Sequence, residues 1–534
     1  MSVLRRPFAV ALLVSGAFVA RQGADGEAVP RKVLPYHAVC SMFSSNQAFP
    51  AQRSETEGLY QRALAIDEQA FGPDDPRVAT DANNLARLYC RESKYSEAEP
   101  LFKRALAIDE QNFGPDQPRV ASDINDLATL YDDQARYSEA EPLYRRALAI
   151  YEQALGPDHP AVATELNNLA SLFQTQGKYE EAEPLYKRAL AIDEQVHGPD
   201  DPKVATDLNN LGSLYDDQGK YGDAEPLYKR ALAVDELAPA PDDEGVATDV
   251  NNLAFLYREQ GKYSEAEPMY KRALTIDQHT LGPDNPKLAT HLNNLAVLYR
   301  EQGKYSEAEP LYKRALAIDE KALGPNHPDV AIRLNNLAMM YWKQGKYGEA
   351  EPLYKRSLAI DEKALGPEHP VIANRLNNLA VLYDNQDRYS DAEPLYKRAL
   401  AIQERVLGPD HPDLANTLNN LAVLYYNERK YGEAEPLYKR ALDIDEKTLG
   451  PDHTSVALDL KNLALLYENE GKYNEAEPLY FRALAICEQA LGQDDPDVAS
   501  VAEGLASVLR KLGRDADARG YEEQAEQIRE MKKQ

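Results

Sequence analysis

Between Ala205 and Tyr215 the apolar residues Leu208, Leu211, Gly212 and Tyr215 fall three and four apart, which predicts one buried stripe along a helix, termed helix A. After a Gln-Gly-Lys-Tyr turn, Ala224, Leu227, Tyr228, Ala231 and Leu232 keep that spacing and predict a second helix, helix B. In sister segments helix B closes at Leu155-Gly156-Pro157, with glycine after the last turn and proline just beyond. Its start reads Ser138-Glu-Ala-Glu141, Ser264-Glu-Ala-Glu267 and Ser306-Glu-Ala-Glu309, the spacing of a capping box with serine as the cap. The proline that follows would then stand fourth in the helix and remove about one backbone hydrogen bond.

That proline recurs every 42 residues, at Pro100, Pro142, Pro184, Pro226, Pro268, Pro310, Pro352, Pro394, Pro436 and Pro478. Unbroken register means one helix pair copied and stacked, so the predicted fold is all-α, a right-handed α-α superhelix. The array is expected over 57–498, as a half-repeat (57–77) followed by ten 42-residue repeats. Residues 499–534 keep the apolar spacing at Leu505, Ala506, Leu509 and Ala518 but lose the aromatic slots, as a polar capping repeat would.

The motif Leu208-x-x-Leu211-Gly212-x-x-Tyr215 followed by Ala224-x-x-x-Tyr228-x-x-Ala231 resembles the tetratricopeptide repeat. The extra length, the loop Gly156-Pro-Asp-His-Pro160 and the strings Leu-Asn-Asn-Leu-Ala and Glu-Ala-Glu-Pro-Leu-Tyr-Lys-Arg-Ala-Leu are similar to the repeats of kinesin light chains and their bacterial relatives. The resemblance runs from about Leu59 to the C-terminus. Residues 1–58 hold no heptad run like the coiled coil of kinesin light chains, so motor binding does not carry over.

Residues 1–30 differ in kind: Arg5 and Arg6 precede an apolar run from Phe8 to Ala20, the pattern of an export signal and too short to span a bilayer. This predicts an exported protein if the signal is real and a cytoplasmic one otherwise, with 31–56 as a tether. Cys40, Cys90 and Cys487 share no metal or disulfide spacing, although Cys40 could reach Cys90 in an oxidising compartment. A net charge of −28 repels nucleic acid and anionic membranes. Lys-Arg pairs on helix B, as at Lys313-Arg314 and Lys397-Arg398, are expected to meet acids of the neighbouring turn.

Slots that stay constant between repeats serve stacking, and slots that change are free for a partner. The resemblance implies that helix A lines a concave groove. The first asparagine of each pair recurs there: Asn83, then Asn125, Asn167, Asn209, Asn251, Asn293, Asn335, Asn377 and Asn419, with Lys461 breaking the series. Two roles fit these amides. From Asn125 onward they form a candidate clamp on the backbone of an extended peptide, as the resemblance implies; alternatively they bridge adjacent repeats. The second asparagine, as in Asn210, turns toward the next repeat.

One turn on, the slot runs Arg87, Thr129, Ser171, Ser213, then Phe255, Val297, Met339, Val381, Val423 and Leu465. Phe255, Met339, Trp342 and Tyr426, flanked by Arg258, Arg300 and Lys343, form a candidate seat for an aromatic or aliphatic anchor beside acidic residues. The alternative is that these side chains only fill the groove.

The tyrosines at Tyr215, Tyr221 and Tyr228 read as packing. His159, His327, His369, His411 and His453 share one loop slot, too far apart to share a metal. No phosphate loop or nucleophile motif is present. The sequence therefore predicts a non-enzymatic scaffold for a protein or peptide, monomeric, without cofactor, metal, nucleic acid or membrane span. The competing reading is a module that self-assembles through its ends.

Overall fold

The structure is a computed structural model that describes residues 50–238 and 243–531. Among these residues it holds 23 helices and no strand. A lone helix, α1 (Pro50–Phe71), precedes ten pairs in which even numbers are helix A and odd numbers helix B. These are α2 (Pro76–Arg91) and α3 (Tyr95–Phe113), α4 (Pro118–Asp133) and α5 (Tyr137–Leu155), α6 (Pro160–Thr175) and α7 (Tyr179–His197), α8 (Pro202–Asp217) and α9 (Tyr221–Leu237), and α10 (Asp243–Glu259) and α11 (Tyr263–Thr280). Then follow α12 (Pro286–Glu301) and α13 (Tyr305–Leu323), α14 (Pro328–Lys343) and α15 (Tyr347–Leu365), α16 (Pro370–Asp384) and α17 (Tyr389–Val406), α18 (Pro412–Asn427) and α19 (Tyr431–Thr448), and α20 (Thr454–Asn469) and α21 (Tyr473–Leu491). The cap is α22 (Pro496–Lys511) and α23 (Asp515–Met531). The helices group into two compact units, one ending at Arg375 and one beginning at Leu376.

The turn from A to B explains where helix B begins. Gly177 takes a φ of 69°, and the amide of Lys178 reaches back to the Phe173 carbonyl at 2.8 Å, closing a Schellman turn. The Lys178 carbonyl then accepts from the Ala182 amide at 3.1 Å and opens helix B, with no side-chain cap. The expected capping box is therefore not formed. Ser96, Ser264 and Ser306 lie one residue inside the helix and bond Glu97, Glu265 and Glu307 at 2.6 Å. Pro100 accordingly stands sixth in α3 rather than fourth.

Helix B ends as read, at a glycine such as Gly156 with φ 93° and ψ 157°, a conformation that only glycine adopts without strain. Most A helices then start with proline in the first turn and a side-chain cap before it, α20 with Thr454 in place of the proline. Asp201 accepts from the Lys203 amide at 3.0 Å, and His159, His327, His369, His411 and His453 do the same through Nδ1 at 3.1–3.3 Å. The five loop histidines are helix caps, and the bond requires their Nδ1 to be unprotonated.

Within a pair, Val204, Ala205 and Leu208 of α8 pack on Ala231 and Val234 of α9, with Leu190 of the preceding helix B against them. Each of the valines and leucines contributes about 1.5–3 kcal/mol when fully buried. Tyr228 is buried against Gly212, and Tyr215 donates to Glu183 of the preceding repeat at 3.0 Å. Lys313 and Lys397 pair with Glu309 and Glu393 one turn back, as expected. In several repeats the arginine beside the lysine instead reaches across to the preceding repeat, as Arg356 does to Glu320 at 2.7 Å and Arg230 to Glu194 at 2.6 Å.

At the start, α1 begins at Pro50 rather than near Glu57. Residues 1–30, the tether up to residue 49, and Cys40 with its pairing to Cys90 lie outside the described residues. Cys90 and Cys487 are buried thiols. No helix among the described residues is long and apolar enough to cross a membrane.

Candidate inner-face site

Successive A helices touch one another, α6 with α8, α8 with α10, α10 with α12 and α12 with α14, whereas successive B helices make no comparable contact. The A side is thus the crowded, inner side of the stack. The asparagine slots and the slots that vary between repeats sit on it.

In the unit ending at Arg375, the first asparagines face the next repeat. Asn83, Asn167 and Asn209 donate through Nδ2 to Asp123, Asp207 and Asp249 at 2.7, 2.6 and 2.6 Å. Asn125, Asn251 and Asn293 accept from Asn168, Asn294 and Asn336 of the following repeat at 2.9, 2.9 and 3.0 Å. Asn335 turns to Asn336 at 3.4 Å. Asn293 and Asn335 are 0% exposed. In the unit from Leu376, Asn419 donates to Asp459 at 2.5 Å and the half-buried Asn377 accepts from Asn420 at 3.0 Å.

Of the amides assigned to a peptide clamp, Asn125, Asn167, Asn209, Asn251, Asn293, Asn377 and Asn419 each spend bonding capacity on the neighbouring repeat, and Asn335 on Asn336 of its own, which is what the bridging role read as the alternative calls for. Burying an amide without a partner costs about 1–3 kcal/mol, and packed repeats must supply that partner from the neighbouring helix. The second asparagines hold the stacking role read for them.

Phe255, Arg258, Arg300 and Met339 come together. The Arg258 guanidinium lies 4.5 Å from the Phe255 ring centroid and pairs with Glu259, while its Nε is 3.7 Å from Glu301. Arg300 places Nη2 3.7 Å from Glu301 and Nη1 3.1 Å from the Met339 sulfur. Both arginines are buried. Expected as open cations for acidic partner residues, they are neutralised by Glu259 and Glu301, because a guanidinium inside a wall keeps a counter-charge.

Trp342 and Lys343 are half-buried at the end of α14. The indole N–H of Trp342, in the slot of Arg258 and Arg300, meets no acceptor among the described residues. Tyr426 belongs to the other unit, where it is half-buried beside Tyr431 with ring centroids 5.7 Å apart. The described residues contain no group of three or more His, Cys, Asp or Glu side chains that could hold a metal ion.

Sequence reasoning missed Glu259 and Glu301 as partners, although each directly follows its arginine. It also missed the acid slot of Asp123, Asp207, Asp249 and Asp459, two residues before the first-asparagine slot of its own repeat, which holds Lys461 after Asp459.

A search of curated proteins finds no match. Among solved structures, the chain is similar to BtubC (BKLC) from P. vanneervenii, at 24% identity over 45% of this chain and 92% of that one, with a TM-score of 0.34. It is also similar to a Podosopora anserina putative kinesin light chain with nearly identical TPR-like repeats, at 29% identity over 38% and 97%, TM-score 0.34. Aspartyl phosphate phosphatase F from Bacillus subtilis matches at 14% identity over 69% and 94%, TM-score 0.42. The tetratricopeptide repeat model matches in overlapping segments across 54–236 (54–111, 82–153, 119–195, 161–236) and again across 246–531 (246–321 through 456–531). The chain belongs to the tetratricopeptide repeat family, whose members are scaffolds for protein–protein interaction.

Proposed function

We propose that this chain is a non-catalytic scaffold that holds an extended segment of a partner protein along the inner face of its A helices. Trp342 carries the reading. Its ring is large and apolar, and its N–H is left without an acceptor among the described residues. A backbone carbonyl of a bound segment would satisfy it, and an unsatisfied donor there costs about 1–3 kcal/mol. Phe255, half-buried on α10, adds apolar surface two repeats earlier, suited to an aliphatic or aromatic anchor. The amide ladder fixes the spacing of these slots, and few bonds to the segment's backbone give micromolar affinity.

Trp342 is the one tryptophan in the sequence, so its emission reports on this face alone. A random peptide library panned on the purified chain should yield anchored peptides that shift that emission on titration. Loss of binding in Phe255→Ala is expected as well. Peptides that bind with the emission unmoved would refute the reading.

A second reading rests on α1, where Leu59 is 58% and Ile66 63% exposed. Their counterparts Leu101 and Ile108 in α3 pack against the helix A of their own repeat, Val78, Ala79 and Ala82. An uncovered edge of this kind suits stacking of ends. Light scattering over a dilution series separates the readings: the receptor stays monomeric, the assembly module does not.

A further inference from the structure

Seven junctions between repeats bring together two side chains, one on helix B and one fourteen residues later on the next helix A. The pair changes along the chain. In the unit ending at Arg375, α3 and α4 bring together Asp109 and Asp123, α7 and α8 bring Asp193 and Asp207, and α9 and α10 bring Asp235 and Asp249. In the same unit the later junctions carry a cation. His291 Nδ1 lies 2.8 Å from Asp277, Arg333 Nε 2.8 Å from Asp319, and Arg375 Nε 2.8 Å from Asp361. In the unit from Leu376, Asp445 faces Asp459.

Two carboxylates buried side by side repel, whereas one carboxyl and one carboxylate share a hydrogen bond; in the first two pairs each partner holds a buried oxygen that meets no donor among the described residues, Asp109 Oδ1 with Asp123 Oδ2 and Asp193 Oδ1 with Asp207 Oδ2. We propose that the acid-paired junctions are protonation-controlled joints, closed while each pair holds a proton and loosened when both carboxyls ionise, while the arginine-paired junctions stay closed throughout.

The surroundings of each pair agree. Asp123 receives Asn83, with Asp126 on its own helix; Arg119 pairs with Asp109 and Arg87 with Asp126. Asp207 receives Asn167, faces Asp193 and Glu194, and has Lys203 on its own helix, with His197 3.8 Å from Asp193. Asp249 receives Asn209 and faces Asp235 and Glu236. Asp459 receives Asn419 and faces Asp445 and Glu446.

Burial first, then the facing acids, push Asp123 and Asp249 up to about 7 and about 8; burial does the same for Asp207, to about 7, against the pull of Asn167. A carboxyl raised in the fold contributes stability that is complete below its ordinary value near 4 and is lost as pH rises through the folded value. The joints therefore loosen between about pH 6.5 and 9. Burial also lifts Asp319, to about 6, against the pull of Arg333, so above pH 7 that group is already ionised and paired.

Hydrogen–deuterium exchange of the full chain at pH 6.5 and 9, corrected for intrinsic base catalysis, tests this. The expected result is about tenfold or more faster exchange at the higher pH in α4, α8 and α10, with α14 and α16 unchanged. Asp249→Asn, which imitates the protonated carboxyl, should abolish the change in α10 and leave that in α4. Equal behaviour of α10 and α14 in the wild type would overturn the proposal, as would a pH response in α10 that persists in Asp249→Asn.

Discussion

Asn167 of α6 donates through Nδ2 to Oδ1 of Asp207 on α8 at 2.6 Å, with both residues buried. The bond ties one repeat to the next, so its removal is a stability event. Asn167→Ala should cost about 1–3 kcal/mol, because Asp207 loses its donor inside the wall. Urea denaturation, with amide exchange followed in α6 and α8, checks this. A free ligand-facing amide would give no such loss.

The left-handed residue closing helix A offers a second measurement. Glycine fills that position at Gly177, whereas Ala135 adopts it with φ 56°. Ala135→Gly should relieve the steric cost of an L-residue there and stabilise by about 1 kcal/mol. Gly177→Ala should do the reverse. Thermal midpoints of the two variants against the wild type decide it.

The repeat register and the helix pair were legible because each depends on neighbours within a turn or two. Leu208, Leu211 and Tyr215 announce helix A without knowledge of anything distant. The start of helix B was less legible: Ser264-Glu-Ala-Glu267 has the spacing of a capping box, but the Lys262 amide closes onto the Tyr257 carbonyl at 2.8 Å and starts the helix earlier. The role of Asn209 could not be read from its own helix at all. An amide on an inner face serves a ligand or a neighbour equally well, and what decides is Asp249, 40 residues on. Arg258 and Arg300 looked like open cations for the same reason, since only folding shows their glutamates turned inward against them.

Two glycines separate propensity from space. A Cβ on Gly212 would lie 3.0 Å from the Tyr228 ring, yet the equivalent slots hold Ala170 and Ala254 against Tyr186 and Tyr270. Gly212→Ala should therefore be neutral or stabilising, by up to about 1 kcal/mol. A Cβ on Gly504 would lie 2.6 Å from the Tyr480 ring, and Gly504→Ala should destabilise by about 1–3 kcal/mol. Parallel melts of the two variants test the contrast.

His453 gives an acid-side prediction. Its Nδ1 accepts from the Ser455 amide at 3.2 Å, and burial pushes its pKa down to about 4. A base depressed in the fold contributes stability present above its ordinary value near 6.5 and lost as pH falls toward 4. His453→Asn keeps the cap, as Asn285 does toward the Lys287 amide at 2.8 Å. The variant should lose up to about 3 kcal/mol less than the wild type between pH 7 and 4. Identical pH profiles would remove the histidine from the acid response.

The central claim is that a partner segment meets the inner face of the A helices. Photo-crosslinking of a library-selected peptide to the full chain tests it most directly, with the photoreactive residue placed at Trp342 or at Lys313, which is exposed on α13. Mass spectrometry should find the peptide joined at position 342 and absent from position 313. Adducts at 313 with none at 342 would contradict the account.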